Sequence, residues 1–180
     1  MEDLSLHVLD VAENSITAGA RTISIILTED SARDLLIIEI ADDGKGMSSD
    51  VVEKVADPFF TSRTTRKVGM GLALFQEAAT AANGFMEVES IPGQGTTVRA
   101  TFQLSHVDRK PLGNMVETIA SLLCFGAEID LHYVHMRGGN KVIFDSKELR
   151  DELGGIPFNS AKGINVIRGY LNQEEEALAH

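Results

Sequence analysis

At 180 residues, 43% hydrophobic and 24% charged, the chain has the length of one ordinary domain, or of one domain with a substantial extension, and the balance of a folded globular protein. A net charge of -11 excludes a general nucleic-acid or anionic-membrane surface, and the single cysteine, Cys124, excludes an intramolecular disulfide and a cysteine-based zinc site. The acidic start, Met1-Glu2-Asp3, is not a secretory n-region, and no apolar run reaches membrane-spanning length, so the expected location is the cytoplasm.

In chain order, Leu4 to about Ala18 has the spacing of a helix. Leu4, Val8, Val11 and Ser15 share one stripe, and Asp3, His7, Asp10, Asn14 and Thr17 form a polar one. A solvated face is the ordinary meaning of such a stripe. A carboxylate and an amide one turn apart are also an arrangement for magnesium and water. Gly19 ends the helix. Thr22 to Thr28 and Asp34 to Ile40 are predicted strands, the second running into Ala41-Asp42-Asp43-Gly44-Lys45-Gly46-Met47. Ser48 to Val55 is a short helix capped by Ser48 or Ser49, and Asp57-Pro58-Phe59-Phe60 breaks it. Thr61 to Lys67 is polar and basic inside an acidic protein. Gly69-Met70-Gly71 opens a helix from Leu72 to about Ala82, followed by a hairpin of Phe85–Ile91 and Thr96–Leu104 around Pro92-Gly93-Gln94-Gly95.

The residue types in this order suit a purine nucleotide. Asp42 can accept a hydrogen bond from an exocyclic amine, and Gly44 and Gly46 let backbone pass close to a base. Gly69 and Gly71 stand ahead of a helix, where free N–H groups and the helix dipole favour phosphate oxygens. Arg63, Arg66 and Lys67 precede them and would neutralise a triphosphate. Asn14 offers an oxygen to Mg²⁺, and Asp10 could orient or deprotonate an attacking group. The phosphate-loop pattern Gly-x-x-x-x-Gly-Lys-Ser/Thr is absent, and no third glycine completes a dinucleotide fingerprint.

The segment from about Leu4 to Leu104 resembles the ATP-binding domain shared by sensor histidine kinases, DNA gyrase, Hsp90 and the MutL proteins, the GHKL or Bergerat fold. Asp10-Val11-Ala12-Glu13-Asn14-Ser15 resembles its N box, and Asp42-Asp43-Gly44-Lys45-Gly46 its first glycine box. Asp57-Pro58-Phe59-Phe60-Thr61-Ser62 resembles the F box, and Gly69-Met70-Gly71-Leu72 the second glycine box. The whole chain is similar to small stand-alone kinase-like ATP-binding proteins of anaerobic bacteria. The resemblance implies a two-layer α/β sandwich (α+β), with a mixed, largely antiparallel sheet, helices on one face, and ATP between helices and lid. It implies that Asn14 holds Mg²⁺ and that Asp42 meets adenine. Gly44, Gly46, Met47, Gly69, Met70, Gly71 and Leu72 would shape the pocket. Phe60 and the lid from Thr61 to Val68, with Arg63, Arg66 and Lys67, would close over phosphate. Thr96 or Thr97, with Thr97 the candidate, would join the water network of the adenine carboxylate. The family's general base is usually Glu where this chain has Asp10, one methylene shorter, which puts hydrolysis in question rather than ATP binding.

The expected division is an ATP-binding domain over 1–105 and an extension over 106–180 made of a helix, a β-hairpin and helices. Leu112 to Phe125 is a predicted helix, and Ile129–Met136 and Lys141–Asp145 are strands around Arg137-Gly138-Gly139-Asn140. Ser146 caps a short helix to Leu153, Ala161 to Asn172 is a last helix, and Glu174-Glu175-Glu176 is expected to fray. His132 and His135 fall on opposite strand faces and do not suggest a shared metal. Because only three residues precede the first helix, the kinase's dimerising helix is not expected in its usual place before the ATP domain. Ser105-His106-Val107-Asp108-Arg109-Lys110-Pro111 is similar to a phosphoacceptor box, with Val107 where an acid usually follows the His, so His106 is a tentative acceptor against the simpler reading of a linker. The expected activity is transfer of the γ-phosphoryl group of Mg-ATP to a protein His or Ser, and the alternative is an ATP-dependent conformational switch with little turnover. The expected associations are ATP, an unidentified protein partner or phosphoacceptor, and a homodimer as an option; nucleic acid and membrane are not expected.

Overall fold

The computed structural model describes residues 2–57 and 68–179, with side chains at all of these except 56 and 68–70. The elements are α1 (Leu4–Thr17), β1 (Thr22–Asp30), β2 (Leu35–Asp42), α2 (Ser49–Ala56), α3 (Val68–Ala81), β3 (Phe85–Ile91), β4 (Gly95–Gln103), α4 (Met115–Phe125), β5 (Asp130–Arg137), β6 (Asn140–Asp145), α5 (Ser146–Glu152) and α6 (Ala161–Leu178). The strands form one six-stranded sheet in the order β3-β4-β2-β1-β5-β6. Every neighbouring pair is antiparallel except β1 and β5. This is the mixed, mostly antiparallel sheet of the expected α/β sandwich.

Strand alternation decides which side the helices take. Ile23, Ile25 and Leu27 of β1 and Leu36, Ile38 and Ile40 of β2 are buried, and the residues between them are half-exposed. The buried set meets Leu4, Val8 and Val11 of α1, Phe75 and Ala79 of α3, Ile119 and Leu123 of α4, and Ile167 and Leu171 of α6 in one apolar core. Phe75 of α3 lies 5.4 Å from His7 of α1 in a stacked pair and 5.9 Å from Phe102 of β4, which ties both helices to the sheet.

The stretch beyond residue 105 builds onto the same sheet, since β5 pairs with β1 over its whole length. The strand-to-helix connection also finishes α1. The Leu4 N–H donates to the Pro111 carbonyl (2.9 Å) and the Ser5 N–H to the Leu112 carbonyl (2.8 Å), so first-turn donors that a helix cannot satisfy itself are taken up by the later segment. Asp3 caps the same turn by accepting from Leu6 N–H at 3.1 Å.

Three expectations are corrected. The last helix does not fray at its glutamates: α6 continues to Leu178, because Glu175 is anchored by the Tyr133 hydroxyl (2.6 Å) and His135 Nδ1 (2.9 Å). Asp145, not Ser146, caps α5, by accepting from the Lys147 N–H at 2.8 Å; Ser146 is fully buried and its hydroxyl accepts from the Leu131 N–H at 2.8 Å. The helix predicted from Leu72 begins at Val68, which puts Gly69 and Gly71 inside its first turn rather than ahead of it.

Candidate functional site

A cavity of about 400 Å³ opens between the last turns of α1, the ends of β2 and β4, and the stretch leading into α2. Val11, Ile40, Leu72 and Val98 supply apolar wall, and Asn14, Ser15, Asp42 and Thr96 supply polar groups. A small number of fixed polar groups in an apolar hollow of this size is the composition of a small-ligand site.

Asp42 is the last residue of β2, and both of its carboxylate oxygens are held. The Ser15 hydroxyl donates to Oδ2 at 2.6 Å and the Gly44 N–H donates to Oδ1 at 2.8 Å. Each oxygen keeps acceptor capacity, so the group is aimed and still able to bind a donor. Its neighbour does different work. Asp43 Oδ1 accepts from the N–H groups of Arg21 (2.8 Å) and Thr22 (2.9 Å), pinning the start of β1. Those backbone donors, Thr22 foremost, hold the Asp43 carboxyl below its ordinary range.

The glycines near Asp42 have reasons internal to the protein. Gly46, at φ +68°, is crowded by the Ile91 carbonyl, so a side chain there would drive away the β3–β4 hairpin. A Cβ on Gly44 would meet Asp42 Oδ1 and the Ala18 carbonyl. Gly46 and Met47 line the cavity and Gly44 does not. On β4, Thr96 and Val98 line the cavity, and Thr96 stands opposite Asp42 in register, while Thr97 stands opposite Ala41 on the other face of the sheet. Thr96 Oγ1 is 2.8 Å from Ser90 Oγ, which accepts from the Met47 N–H at 2.7 Å, so a short chain of bonds fixes this rim.

Asn14 lines the cavity, and its Nδ2 is buried with no hydrogen-bond partner among the described residues. A side-chain amide left unsatisfied by protein at the wall of a cavity is a group with bonding capacity to offer a ligand. An amide oxygen is a hard donor of the kind Mg²⁺ accepts alongside water and phosphate, so the residue fits that ion. Asp10, one turn earlier, is not on the cavity wall. Its Oδ2 lies against Gly71, in the space a Cβ at 71 would take. Burial raises the Asp10 carboxyl.

The remaining expectations separate. Leu72 lines the cavity at 4% exposure. Phe60, Thr61, Arg63, Arg66 and Lys67 lie outside the described residues, and Gly69 and Met70 are described only through the backbone of α3. His106 sits in the turn after β4, where its Nδ1 accepts from the Asp108 N–H at 3.1 Å. That is the opposite end of the strand from Thr96, roughly 20 Å away by strand rise. The structure therefore does not bring His106 to the cavity. His7, one turn before Asp10, is buried, and burial first and the Lys110 ammonium second lower its pKa to about 4, so it is neutral.

Ser15 and Lys45 are wall residues beyond those singled out from the sequence. Ser15 carried a readable signal: a hydroxyl on an otherwise apolar helical stripe needs a buried partner, and Asp42 is that partner.

A family model described as "Histidine kinase-, DNA gyrase B-, and HSP90-like ATPase" matches residues 2–106. The chain is 35% identical over 98 residues to the Non-motile and phage-resistance protein of Caulobacter vibrioides, covering 52% of this chain and 12% of that protein. It is 34% identical over 73 residues to the sensor histidine kinase YxdK of Bacillus subtilis, covering 38% and 22%. It is 37% identical over 94 residues to the sensor histidine kinase ZraS of Salmonella typhimurium, covering 51% and 20%. The chain thus spans less than a quarter of each of these relatives. Among solved structures, the Aquifex aeolicus MutL ATPase domain complexed with ADP is similar at a TM-score of 0.50 and 17% identity, over 86% of this chain and 68% of that one. The N-terminal domain of a DNA repair protein is similar at a TM-score of 0.52 and 18% identity, over 79% and 52%.

Proposed function

Since the chain belongs to the family of histidine kinase-, DNA gyrase B- and HSP90-like ATPases, we propose that it binds Mg-ATP in the cavity at Asp42 and passes the γ-phosphoryl group to a protein side chain in the cytoplasm. The observation that carries this reading is the Asp42 carboxylate, fixed by the Ser15 hydroxyl and the Gly44 N–H and facing an apolar hollow. A fixed acceptor of this kind matches the exocyclic amine of adenine. Guanine would turn a carbonyl oxygen toward it, two acceptors face to face. Asn14 would hold the ion through its amide oxygen, and the bound Mg²⁺ would neutralise phosphate charge. Asp10 would act from the side of Gly71, positioned to accept a proton from the attacking group. Because His106 lies at the far end of β4 and His7 is buried and neutral, the acceptor side chain would come from another protein.

Calorimetry with Mg-ATP and Mg-GTP tests the site: ATP should bind and GTP should not, and equal affinities would defeat the adenine assignment. Incubation with γ-labelled ATP and candidate partners tests the transfer, with label expected on the partner and lost in Asp10→Ala.

One observation favours a second reading, an ATP-dependent switch with little turnover. Asp10 is short for the family's base, is raised by burial, and stands off the cavity wall. Tight ATP binding with neither phosphate release nor transfer, in the presence of partners, would select the switch.

A further inference from the structure

The sheet ends on β3 at one side and β6 at the other. We propose that β6 is a homodimer interface, in which β6 of one chain pairs antiparallel with β6 of a second copy about a two-fold axis through Ile143.

The hairpin geometry says which backbone groups are available. Arg137 stands opposite Asn140 across Gly138 (φ +56°) and Gly139 (φ +84°), a tight turn with left-handed central residues. The closing pair of such a turn exchanges both hydrogen bonds, and bonded and non-bonded pairs then alternate along the ladder. Asn140, Val142 and Phe144 therefore bond to β5, and Lys141, Ile143 and Asp145 turn their N–H and carbonyl groups away from it. The Tyr170 hydroxyl agrees, since it reaches the Ile143 carbonyl at 3.4 Å from outside the sheet. That long contact is one a strand N–H would replace.

The side chains select the partner. With the axis at Ile143, the residue meets its own copy, and Lys141 falls directly opposite Asp145 of the other chain, twice by symmetry; there the lysine would join a carboxylate that already meets His132 Nδ1 at 2.9 Å and caps α5 within its own chain. Opposite charges at facing positions of an antiparallel pair are stabilising. Moving the axis one residue either way sets Ile143 against Lys141 or against Asp145 and loses the match. Ile143 is 51% exposed, and in register it continues a row with Val134 of β5 and Ile26 of β1 on the open face of the sheet. The two-fold axis would run that apolar row unbroken into the second sheet. The outward backbone groups, the exposed isoleucine and the charge pairing thus all fit one occupant, an identical strand. The cavity lies on the far side of β1, so the proposal does not depend on the nucleotide reading.

Sedimentation velocity on the full chain at micromolar concentration should give a dimer. Ile143→Lys, which sets like charges face to face on a solvent-accessible edge, should give a monomer with an unchanged circular dichroism spectrum. A facing residue pair of this type has Cα atoms about 5.5 Å apart, within disulfide reach. Ile143→Cys on a Cys124→Ser background should therefore form a covalent dimer under mild oxidation, while Val107→Cys, at 92% exposure, should not. A monomeric wild type, a dimer untouched by Ile143→Lys, or cross-linking no better at 143 than at 107 would each overturn the proposal. If Ile143→Lys fails to fold, the cross-link decides.

Discussion

The cavity at Asp42 and the cluster beneath α6 are both polar islands in the core, and they differ in whether the protein closes its own hydrogen bonds. Under α6, Tyr133 donates to Glu175 at 2.6 Å, His135 Nδ1 meets Glu175 at 2.9 Å, and His135 Nε2 meets Glu29 at 2.8 Å, with Arg137 3.7 Å from the same glutamate. At the cavity, Asn14 Nδ2 has no partner among the described residues, and the Asp42 carboxylate keeps capacity unspent. A buried polar network that is fully satisfied rigidifies a fold, whereas one left open carries a cost that a ligand can relieve. Stability should therefore answer to the first cluster and ligand binding to the second.

The sharpest way to break that separation is Glu175→Ala. It leaves the Tyr133 hydroxyl and the Nδ1 of the buried His135 imidazole without their acceptor, with Glu29 still at Nε2. Removing one member of a buried ion pair costs about 3 kcal/mol or more, and the partial exposure of Glu175 (22%) sets the expectation at that lower end. Urea denaturation should report the loss, with Mg-ATP affinity unchanged. A stable variant, or one that binds ATP poorly, would mean that the two islands are not independent. The converse is Asp42→Asn, which on the proposed nucleotide reading turns an amide donor toward adenine's amine. An unmatched donor of this kind costs about 2–3 kcal/mol, roughly a hundredfold in affinity, with the urea midpoint little changed. Near-normal ATP binding would remove the carboxylate from its role.

The pH dependence sharpens the comparison further. Burial opposes charge on His135, but the hydrogen bonds to Glu175 and Glu29 and their charges outweigh it and raise the pKa to about 9. A raised histidine stabilises the fold in its protonated form. Its contribution is complete below the unfolded value near 6.5 and is lost as pH rises through about 9. Hydrogen bonding to His135 holds Glu29 below its ordinary value, so the glutamate's share is instead lost on acidification. Between pH 7 and 10 the unfolding free energy from urea denaturation should fall by an amount on the order of 1–2 kcal/mol after allowance for solvent screening. His135→Gln should flatten that slope, and a wild-type profile level across the range would count against the protonated cluster.

The sequence displayed one island far better than the other, for physical reasons. Asp42 and Asn14 sit in short local patterns, a strand running into Asp-Asp-Gly-x-Gly and a polar helical stripe, and such patterns survive in one dimension. The α6 cluster joins positions 29, 133, 135 and 175, which only tertiary contact brings together. Glu175 in a run of glutamates therefore looked like a solvated tail. The same limit explains the glycines. Their tolerance for close approach was legible at 44 and 46, but what approaches them, an aspartate at one and a carbonyl at the other, is set by the fold, as is the aspartate that meets Gly71. The parallel β1–β5 pairing was hidden in the same way, because β5 arrives after a long crossover and nothing local marks its partner.

The smallest effect expected is at Ser15, and it asks how far the cavity depends on orientation. Ser15 is 4% exposed and its hydroxyl donates to Asp42 Oδ2 at 2.6 Å, with the Val11 carbonyl 3.4 Å away. Ser15→Ala removes one of the carboxylate's two fixed donors but leaves the Gly44 N–H in place. A single hydrogen bond to a charged acceptor contributes about 1–2 kcal/mol when buried, and the lower end applies here because a ligand or water can take up the vacated lone pair. ATP affinity should fall by roughly five- to tenfold, and the ratio of ATP to GTP affinity should narrow with it, because a carboxylate free to rotate rejects guanine less firmly. A purely structural serine would instead lower the urea midpoint and leave that ratio alone.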